Sequence, residues 1–182
     1  MSEVTVHFIR HAESEANLRP HIVSGRSNET PLTKHGVWQA MRLGRYIGGH
    51  LGRPDVVYAS PAVRTIETAR VSLNAAGIAR HIVVDDRLQE LYQGEAEGKP
   101  RKEVYDAEVM RRIELEGLDF KHQGGQSLRE LGAQALGWLD DEYEQKLHSF
   151  GHTYVYGHGM SIRSLVGAIE GWDHMQIFKA ST

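Results

Sequence analysis

The chain has 182 residues, of which 40% are hydrophobic and 25% are charged, and it contains no cysteine. These values are ordinary for one globular domain, and the absence of thiols excludes disulfides, thiolate catalysis and thiolate metal sites. The formal net charge of -3 gives no general attraction to nucleic acid or anionic membranes, so neither is an expected partner and any anion site must be local.

Targeting signals are also absent from the sequence. No apolar run approaches the ~20 residues of a membrane span. The N-terminus lacks the basic and apolar regions of a signal peptide, and nothing points to an oxidising compartment. We therefore expect a cytoplasmic protein.

The first predicted element is a short strand over residues 4–9, where β-branched and aromatic residues are typical of a buried strand. Arg10 and His11 follow it directly, where the run stops being apolar. In an open α/β sheet, the carboxyl end of a strand lies at the edge where ligands bind. A cation and an imidazole at this edge suit an anionic substrate.

Helices and strands then alternate. A loop over residues 17–31 precedes a helix that Thr33 can cap, and a second strand covers residues 56–59. Ser60 and Pro61 fit the N-cap and the first position of the next helix. These signals predict a strand, a turn and a helix in close succession.

The second half of the chain continues the alternation. A third strand is predicted over residues 81–84, and one charged amphipathic helix over residues 101–116. A capping box at residues 127–130 opens a long helix to about His148, and a fourth strand covers residues 153–156 before a last helix. This order predicts an α/β fold with helices on both faces of a mostly parallel sheet.

Reactive side chains follow each of the four predicted strands. Arg10 and His11 follow the first, Arg64 lies one turn into the helix after the second, Glu90 lies beyond the third, and His158 follows the fourth. Parallel strands bring such positions to one rim of the sheet, despite their separation along the chain. This arrangement is what an active site at a sheet edge needs.

Four motifs in this order resemble the histidine phosphatase superfamily, in its phosphoglycerate-mutase-like branch. They are RHAES at residues 10–14, SPAVRTIETA at 60–69, LQE with later glycines at 88–98, and GHGMSIR at 157–163. The resemblance covers nearly the whole chain. It implies a three-layer α/β/α fold in a single domain over residues 1–182, with a small helical cap inserted at about residues 92–126.

The resemblance also implies a role for each residue at the rim. His11 would be the nucleophile that forms a phosphohistidine, and a neutral imidazole has the lone pair and the pKa for this near neutrality. Arg10, Arg64 and His158 would hold the transferring phosphoryl group. Glu90 would protonate the leaving oxygen and later take a proton from water.

Further phosphate contacts are expected at three positions. Asn17 resembles a family position that contacts phosphate through its amide, and Ser24 and Gly159 are candidate phosphate-binding or substrate-binding residues. The loop over residues 19–30 and the segment over residues 92–126 would set selectivity. The expected partner is a small phosphorylated substrate, and neither a cofactor nor a metal is expected.

Structural roles are the alternatives for the same residues. Arg10 and Arg64 could be ion-pair partners, His11 and His158 could ligate a metal, and Glu90 could be a solvated carboxylate. Glu13, Glu95 and Glu97 are other candidates for the proton donor. Ser127 is better explained as a helix cap. A metal at His11 would need further ligands, and His7 is poorly placed as one because four-residue spacing on a strand does not align two rings.

Eight other histidines are expected on the surface or in the core, and they are His21, His35, His50, His81, His122, His148, His152 and His174.

Two departures from the family pattern affect these expectations. Gln126 stands where the family often has Glu, which changes the lining of the substrate pocket. The chain stops at Thr182, where relatives usually continue into another strand, so either the chain is shortened or its sheet is one strand smaller. An unpaired sheet edge invites self-association, and a homodimer is therefore a further expectation.

Three functions of different classes compete at this point. The first is a metal-independent phosphomonoesterase acting through phosphohistidine, and it is favoured. The second is a phosphoglycerate-type mutase, which must protect its phosphoenzyme from water and would need a more elaborate cover. The third is a non-catalytic domain that binds a phosphorylated ligand, which would require an incomplete catalytic set.

Overall fold

A computed structural model describes residues 4–145 and 149–181. Within these residues one four-stranded parallel sheet has the order β1-β4-β2-β3. Its strands are β1 (Thr5–Arg10), β2 (Val56–Ala59), β3 (Ile82–Val84) and β4 (His152–Gly157).

Seven α-helices lie in the same described residues, several of them between successive strands. They are α1 (Lys34–His50), α2 (Val63–Ala75), α3 (Arg101–Val104), α4 (Ala107–Glu116), α5 (Leu128–Gln145), α6 (Gly159–Glu170) and α7 (His174–Lys179). No helix in the part of the chain that the structure describes is long and apolar enough to cross a membrane. The predicted α/β class with a mostly parallel sheet is confirmed.

The core lies on both faces of the sheet, because successive side chains of β4 point to opposite faces. Tyr154 and Tyr156 are buried in a cluster that includes Ile47 of α1 and Leu73 of α2. Val155 packs into a second cluster with Trp138 of α5, whose side chain is completely buried. Helices therefore cover both faces, as three layers require.

The register of the sheet aligns the strand ends that carry polar groups. Arg10 at the end of β1 lies opposite Gly157 at the end of β4, and Ala59 at the end of β2 lies opposite Tyr156. His11, Ser60 and His158 each follow one of these ends. Their convergence is a direct result of parallel pairing.

The first strand differs from its prediction. β1 was expected to be buried, yet its residues are mostly half-buried and Arg10 is exposed. β1 is only half-buried because, among the described residues, it pairs only with β4 and so lies at an edge of the sheet.

The start of α2 also corrects the sequence analysis. Ser60 is not the N-cap and Pro61 is not the first helical residue, because α2 begins at Val63. The Ser60 N–H donates to the carbonyl of Tyr156 (3.0 Å), so the backbone still bonds to β4 at this point. The Ser60 hydroxyl is thereby available for another contact.

The predicted helix over residues 101–116 is two helices. Asp106 ends the first segment because its carboxylate accepts the Val109 N–H (2.8 Å) and caps α4. The short helix α7 was not predicted, although Asp173 and Gln176 form a capping box at its start. The capping box at Ser127 is confirmed, and the predicted end of α5 near His148 lies outside the described residues.

Candidate active site

Three side chains meet at the carboxyl rim of the sheet. Arg64, on the first turn of α2, lies between His11 after β1 and His158 after β4. The two imidazole rings are 5.3 Å apart between centroids and face each other edge to face. The structure thus brings together residues that are up to 147 positions apart in the sequence.

The tautomer of His11 follows from its two hydrogen bonds. Its Nδ1 lies 2.7 Å from the carbonyl oxygen of Ala12, and because a carbonyl can only accept, Nδ1 must carry the proton. Its Nε2 lies 3.2 Å from Nε of Arg64, which can only donate. His11 is therefore held with its lone pair on Nε2, on the side of Arg64.

The environment of His11 also keeps the ring neutral. Burial is the largest cause of a pKa lowered to about 4, the positive charges of Arg64 and Arg10 add to it, and the hydrogen bond to Ala12 opposes it. A neutral imidazole is the nucleophilic form. His11 therefore carries an available lone pair over the whole physiological pH range.

Arg64 is only 3% exposed, and most of its donors are used. Besides His11, its Nη1 donates to the carbonyl of Ser27 (2.8 Å) and its Nη2 to the carbonyl of Arg26 (2.8 Å) and to Nδ1 of His158 (3.1 Å). Four of the five N–H groups of a guanidinium are thus committed. One N–H on Nη1 remains for another acceptor.

His158 is completely buried and holds Arg64 in place. Because Nδ1 accepts from Arg64, the proton lies on Nε2, which donates to the hydroxyl of Ser60 (2.8 Å). Burial holds the pKa of His158 well below its ordinary value, and the charge of Arg64 acts in the same direction. Both ring nitrogens are engaged, so direct donation to a phosphoryl oxygen requires His158 to leave Ser60.

The carboxylate of Glu90 lies at the N-terminus of α6. Its Oε1 accepts the N–H groups of Leu91 (2.9 Å) and Ser161 (3.1 Å), and its Oε2 accepts that of Met160 (3.1 Å). Burial raises the pKa of Glu90, and these backbone bonds and Arg64 oppose the rise. Oε2 keeps one lone pair that can carry a proton.

Arg10 and Asn17 border an open cleft of about 590 Å³ beside His11. The side chain of Arg10 forms no hydrogen bond or ion pair with the described residues, and the residue is exposed. The Oδ1 of Asn17 accepts from the backbone N–H and the hydroxyl of Ser14, which leaves the amide N–H groups as possible donors to a ligand. Both residues can thus present donors to an anion.

Two other candidate residues lie nearby without a defined role. The carbonyl of Ser24 accepts from the hydroxyl of Ser27, and its own side chain has no hydrogen bond to the described residues. Gly159 begins α6, and its carbonyl accepts from Nε of Arg163 (3.1 Å). Contact of either residue with phosphate stays a prediction.

Sequence reasoning missed the supporting groups of the site. Ser60 was assigned to helix capping and instead bonds His158. The carbonyl of Arg26 accepts from Arg64, and its Nε donates to the carbonyl of Glu90 (3.2 Å). The chain offered one signal for Ser60, its position directly after a strand, but none for a contact made by a loop carbonyl.

Among the described residues, no three His, Asp or Glu side chains are grouped so that they could hold a metal ion. His7, considered with His11 as a ligand pair, lies with its Nε2 3.3 Å from Nδ1 of His152 instead. Other acidic side chains are bonded elsewhere: Glu13 accepts from the hydroxyl of Thr33, and Glu97 from the N–H of Arg26. Metal independence stays a prediction.

Comparison with known proteins gives consistent matches. A family model described as the histidine phosphatase superfamily (branch 1) matches residues 6–181. A 2,3-bisphosphoglycerate-dependent phosphoglycerate mutase from Azorhizobium caulinodans is 28% identical over 166 residues, which cover 90% of this chain and 80% of the relative.

Solved structures resemble the fold. A phosphoserine phosphatase from Entamoeba histolytica, in complex with 3-phosphoglyceric acid, has a TM-score of 0.80 at 21% identity and covers 97% of this chain and 84% of its own. An alpha-ribazole phosphatase from Shigella flexneri has a TM-score of 0.76 at 21% identity, with coverages of 95% and 83%. These likenesses establish a phosphoglycerate-mutase-like fold.

The lowered pKa of His11 gives a first prediction. Nitrogen NMR of the imidazoles, with His11→Gln to assign the resonance, should show His11 titrating at about 4 with the proton on Nδ1 above that pH. Below pH 6.5, His11 of the unfolded chain binds a proton, whereas His11 of the folded chain stays neutral until the pH is close to 4. Stability should therefore fall, by roughly 3 kcal/mol from this group, as the pH drops from 6.5 to 4.

A titration midpoint near 6.5, or a proton on Nε2 at neutral pH, would contradict the geometry of the site. The stability measurement has an internal control, because His11→Gln keeps His158 and every other titrating group. The difference in unfolding free energy between the wild type and this variant should therefore isolate His11.

Proposed function

Since the chain belongs to the histidine phosphatase superfamily, we propose that it hydrolyses small phosphomonoesters through a phosphohistidine intermediate and without a metal ion. The observation that carries the proposal is the neutral His11, whose Nδ1 is tied to Ala12 and whose Nε2 lone pair faces Arg64. A nucleophile and an anion-binding guanidinium at one point suit attack on a phosphoryl group.

In the first half-reaction, Nε2 of His11 attacks phosphorus and the bond from phosphorus to the alcohol oxygen breaks. The Nε–H of Arg64, which donates to this lone pair, must turn to a phosphoryl oxygen as phosphorus approaches. Protonated Glu90 gives its proton to the leaving oxygen. Its raised pKa, caused by burial, supports the acid form.

In the second half-reaction, water attacks the phosphorus of phosphohistidine. Glu90, now a carboxylate, takes a proton from this water, and the bond between phosphorus and Nε2 breaks. The products are inorganic phosphate and neutral His11, so every group returns to its starting state. The backbone N–H groups of Met160 and Ser161 stabilise Glu90 while it is charged.

Charge on the phosphoryl oxygens is balanced by cations of the chain. Arg10 is exposed beside the cleft, so its side chain can adjust to the phosphoryl group. Arg64 is fixed by loop carbonyls, so its guanidinium is already oriented before the substrate binds. His158 positions Arg64, and Asn17 offers its amide N–H groups. Ser24 and Gly159 complete the proposed phosphate-binding set.

The wider setting is proposed on the same basis. We propose a small phosphorylated substrate as the partner, and a cytoplasmic location without nucleic acid or membrane partners, which the composition and charge support. Among the described residues β1 lies at an edge of the sheet, and this position supports self-association into a homodimer. No cofactor is needed for either half-reaction as written.

A phosphoglycerate-type mutase is the second candidate, and the names of the curated relatives favour it. A mutase must keep water from the phosphoenzyme until its second hydroxyl arrives. Here Arg10 and Asn17 are exposed at an open cleft next to His11, which supports hydrolysis. We therefore place the phosphatase first.

A panel of phosphomonoesters, assayed with excess chelator, tests the proposal. Phosphate release should continue with chelator, and His11→Ala should lower it by several orders of magnitude because the covalent step has no other nucleophile. With 3-phosphoglycerate and 2,3-bisphosphoglycerate present, phosphate release should exceed formation of 2-phosphoglycerate.

Loss of activity with chelator and its return with added metal would contradict metal independence. Faster isomerisation than hydrolysis would make the mutase the correct function. If the folded protein hydrolyses none of the substrates in the panel, the non-catalytic ligand-binding domain becomes the favoured function.

The role of Glu90 as proton donor can be tested with substrates whose leaving groups differ in their need for a proton. Glu90→Gln should slow alkyl phosphates by about 10²–10⁴-fold, the usual contribution of a positioned acid. The loss should be much smaller with p-nitrophenyl phosphate, because its phenolate leaves without protonation. Water attack still needs a base, so this variant should release one burst of nitrophenol and then turn over slowly.

The matched control is Glu114→Gln, the same change of charge at an exposed carboxylate of α4 that does not border the cleft beside His11. It should leave both substrates unaffected. Equal losses for alkyl and aryl substrates in Glu90→Gln, without a burst, would assign the proton transfer to another residue, with Glu13, Glu95 and Glu97 the next to test.

A further inference from the structure

A second cavity, of about 780 Å³, shares no lining residue with the cleft beside His11 and Arg10. Leu91 and Met160 line it, and these are two of the residues whose N–H groups bond the Glu90 carboxylate. The cavity therefore adjoins the residue that is proposed to protonate the leaving oxygen.

The wall of this cavity is mainly apolar. Met110 and Ile113 of α4, Phe120, and Met175 and Phe178 of α7 all line it. Met110, Met175 and Phe178 are between 44% and 46% exposed, so large apolar side chains that would normally be buried are concentrated here. Contiguous exposed apolar surface in a concave site is characteristic of ligand binding.

The charged side chains around this cavity are all basic. Arg101, Lys102, Lys121 and Arg163 line it, and no acidic residue of the described chain does. Lys121 is paired with Glu130 (2.6 Å), and Arg163 is tied to three backbone carbonyls. The positive charge around the cavity favours the approach of a phosphate dianion, and the apolar part of its wall suits an apolar group.

We infer that this cavity binds the alcohol part of the substrate, and that the substrates are phosphomonoesters of bulky, mainly apolar alcohols. The inference rests on the proposed function and specifies its substrate class. Three-carbon polar substrates would leave most of the cavity unfilled. The methionine side chains adapt to different apolar shapes, so the class is defined by apolar bulk more than by one exact outline.

A series of n-alkyl phosphates tests the inference. Ethyl, butyl and hexyl phosphate share the same reacting atoms and the same need for protonation, and they differ only in apolar length. Burial of each added methylene group can raise kcat/KM by up to about 4-fold. We expect hexyl phosphate to exceed ethyl phosphate by at least about 10-fold, and glycerol phosphate to resemble ethyl phosphate.

A pair of variants on α4 locates the effect. Met110→Gln replaces a cavity-lining side chain by a neutral polar one of similar size, and it should remove most of the preference for hexyl phosphate while ethyl phosphate is unchanged. Leu115→Gln is the control, because Leu115 is 72% exposed on the same helix and does not line the cavity. It should leave the whole series unchanged.

The outcomes separate this inference from the proposed function. Hydrolysis of all alkyl phosphates at similar rates, or a preference that Met110→Gln and Leu115→Gln reduce equally, would overturn the inference and leave the phosphatase intact. Absence of hydrolysis even of p-nitrophenyl phosphate would overturn both. A preference that increases with chain length and depends on Met110 would support the inference.

Discussion

The hydrogen bond from Nδ1 of His11 to the carbonyl of Ala12 is the constraint on which the rest of the site depends. It fixes the tautomer, so the only lone pair of the ring lies on Nε2. It also fixes the ring plane relative to the end of β1, because the acceptor is the backbone of the next residue. Burial then keeps the ring neutral, so His11 is held both in the orientation and in the protonation state that nucleophilic attack requires.

Arg64 connects this nucleophile to the other elements of the fold. Its guanidinium bonds His11 after β1, His158 after β4, and two carbonyls of the loop before α1. The loop is held in turn by Glu97, which accepts the N–H of Arg26. A planar donor group with this many fixed partners presents its charge in one direction, which a flexible lysine could not do.

Sequence reasoning could predict the meeting of His11, Arg64 and His158 because parallel strands align their carboxyl ends, and this alignment needs no knowledge of side-chain contacts. It could not predict that Ser60 bonds His158, since the same residue also fits a helix N-cap. Nor could it predict that Glu90 bonds the first N–H groups of α6, since that contact joins segments 70 residues apart. Such contacts depend on the packing of elements, which local patterns do not encode.

The most direct test of this account is the position of the phosphoryl group on the enzyme during turnover. Single-turnover reaction, alkaline quench and phosphorus–proton NMR of the isolated peptide distinguish phosphorus on Nε2 from phosphorus on Nδ1. The geometry predicts phosphorus on Nε2 of His11, because Nδ1 carries the proton bonded to Ala12. Phosphorus on Nδ1 of His11, or on any other residue, would contradict it.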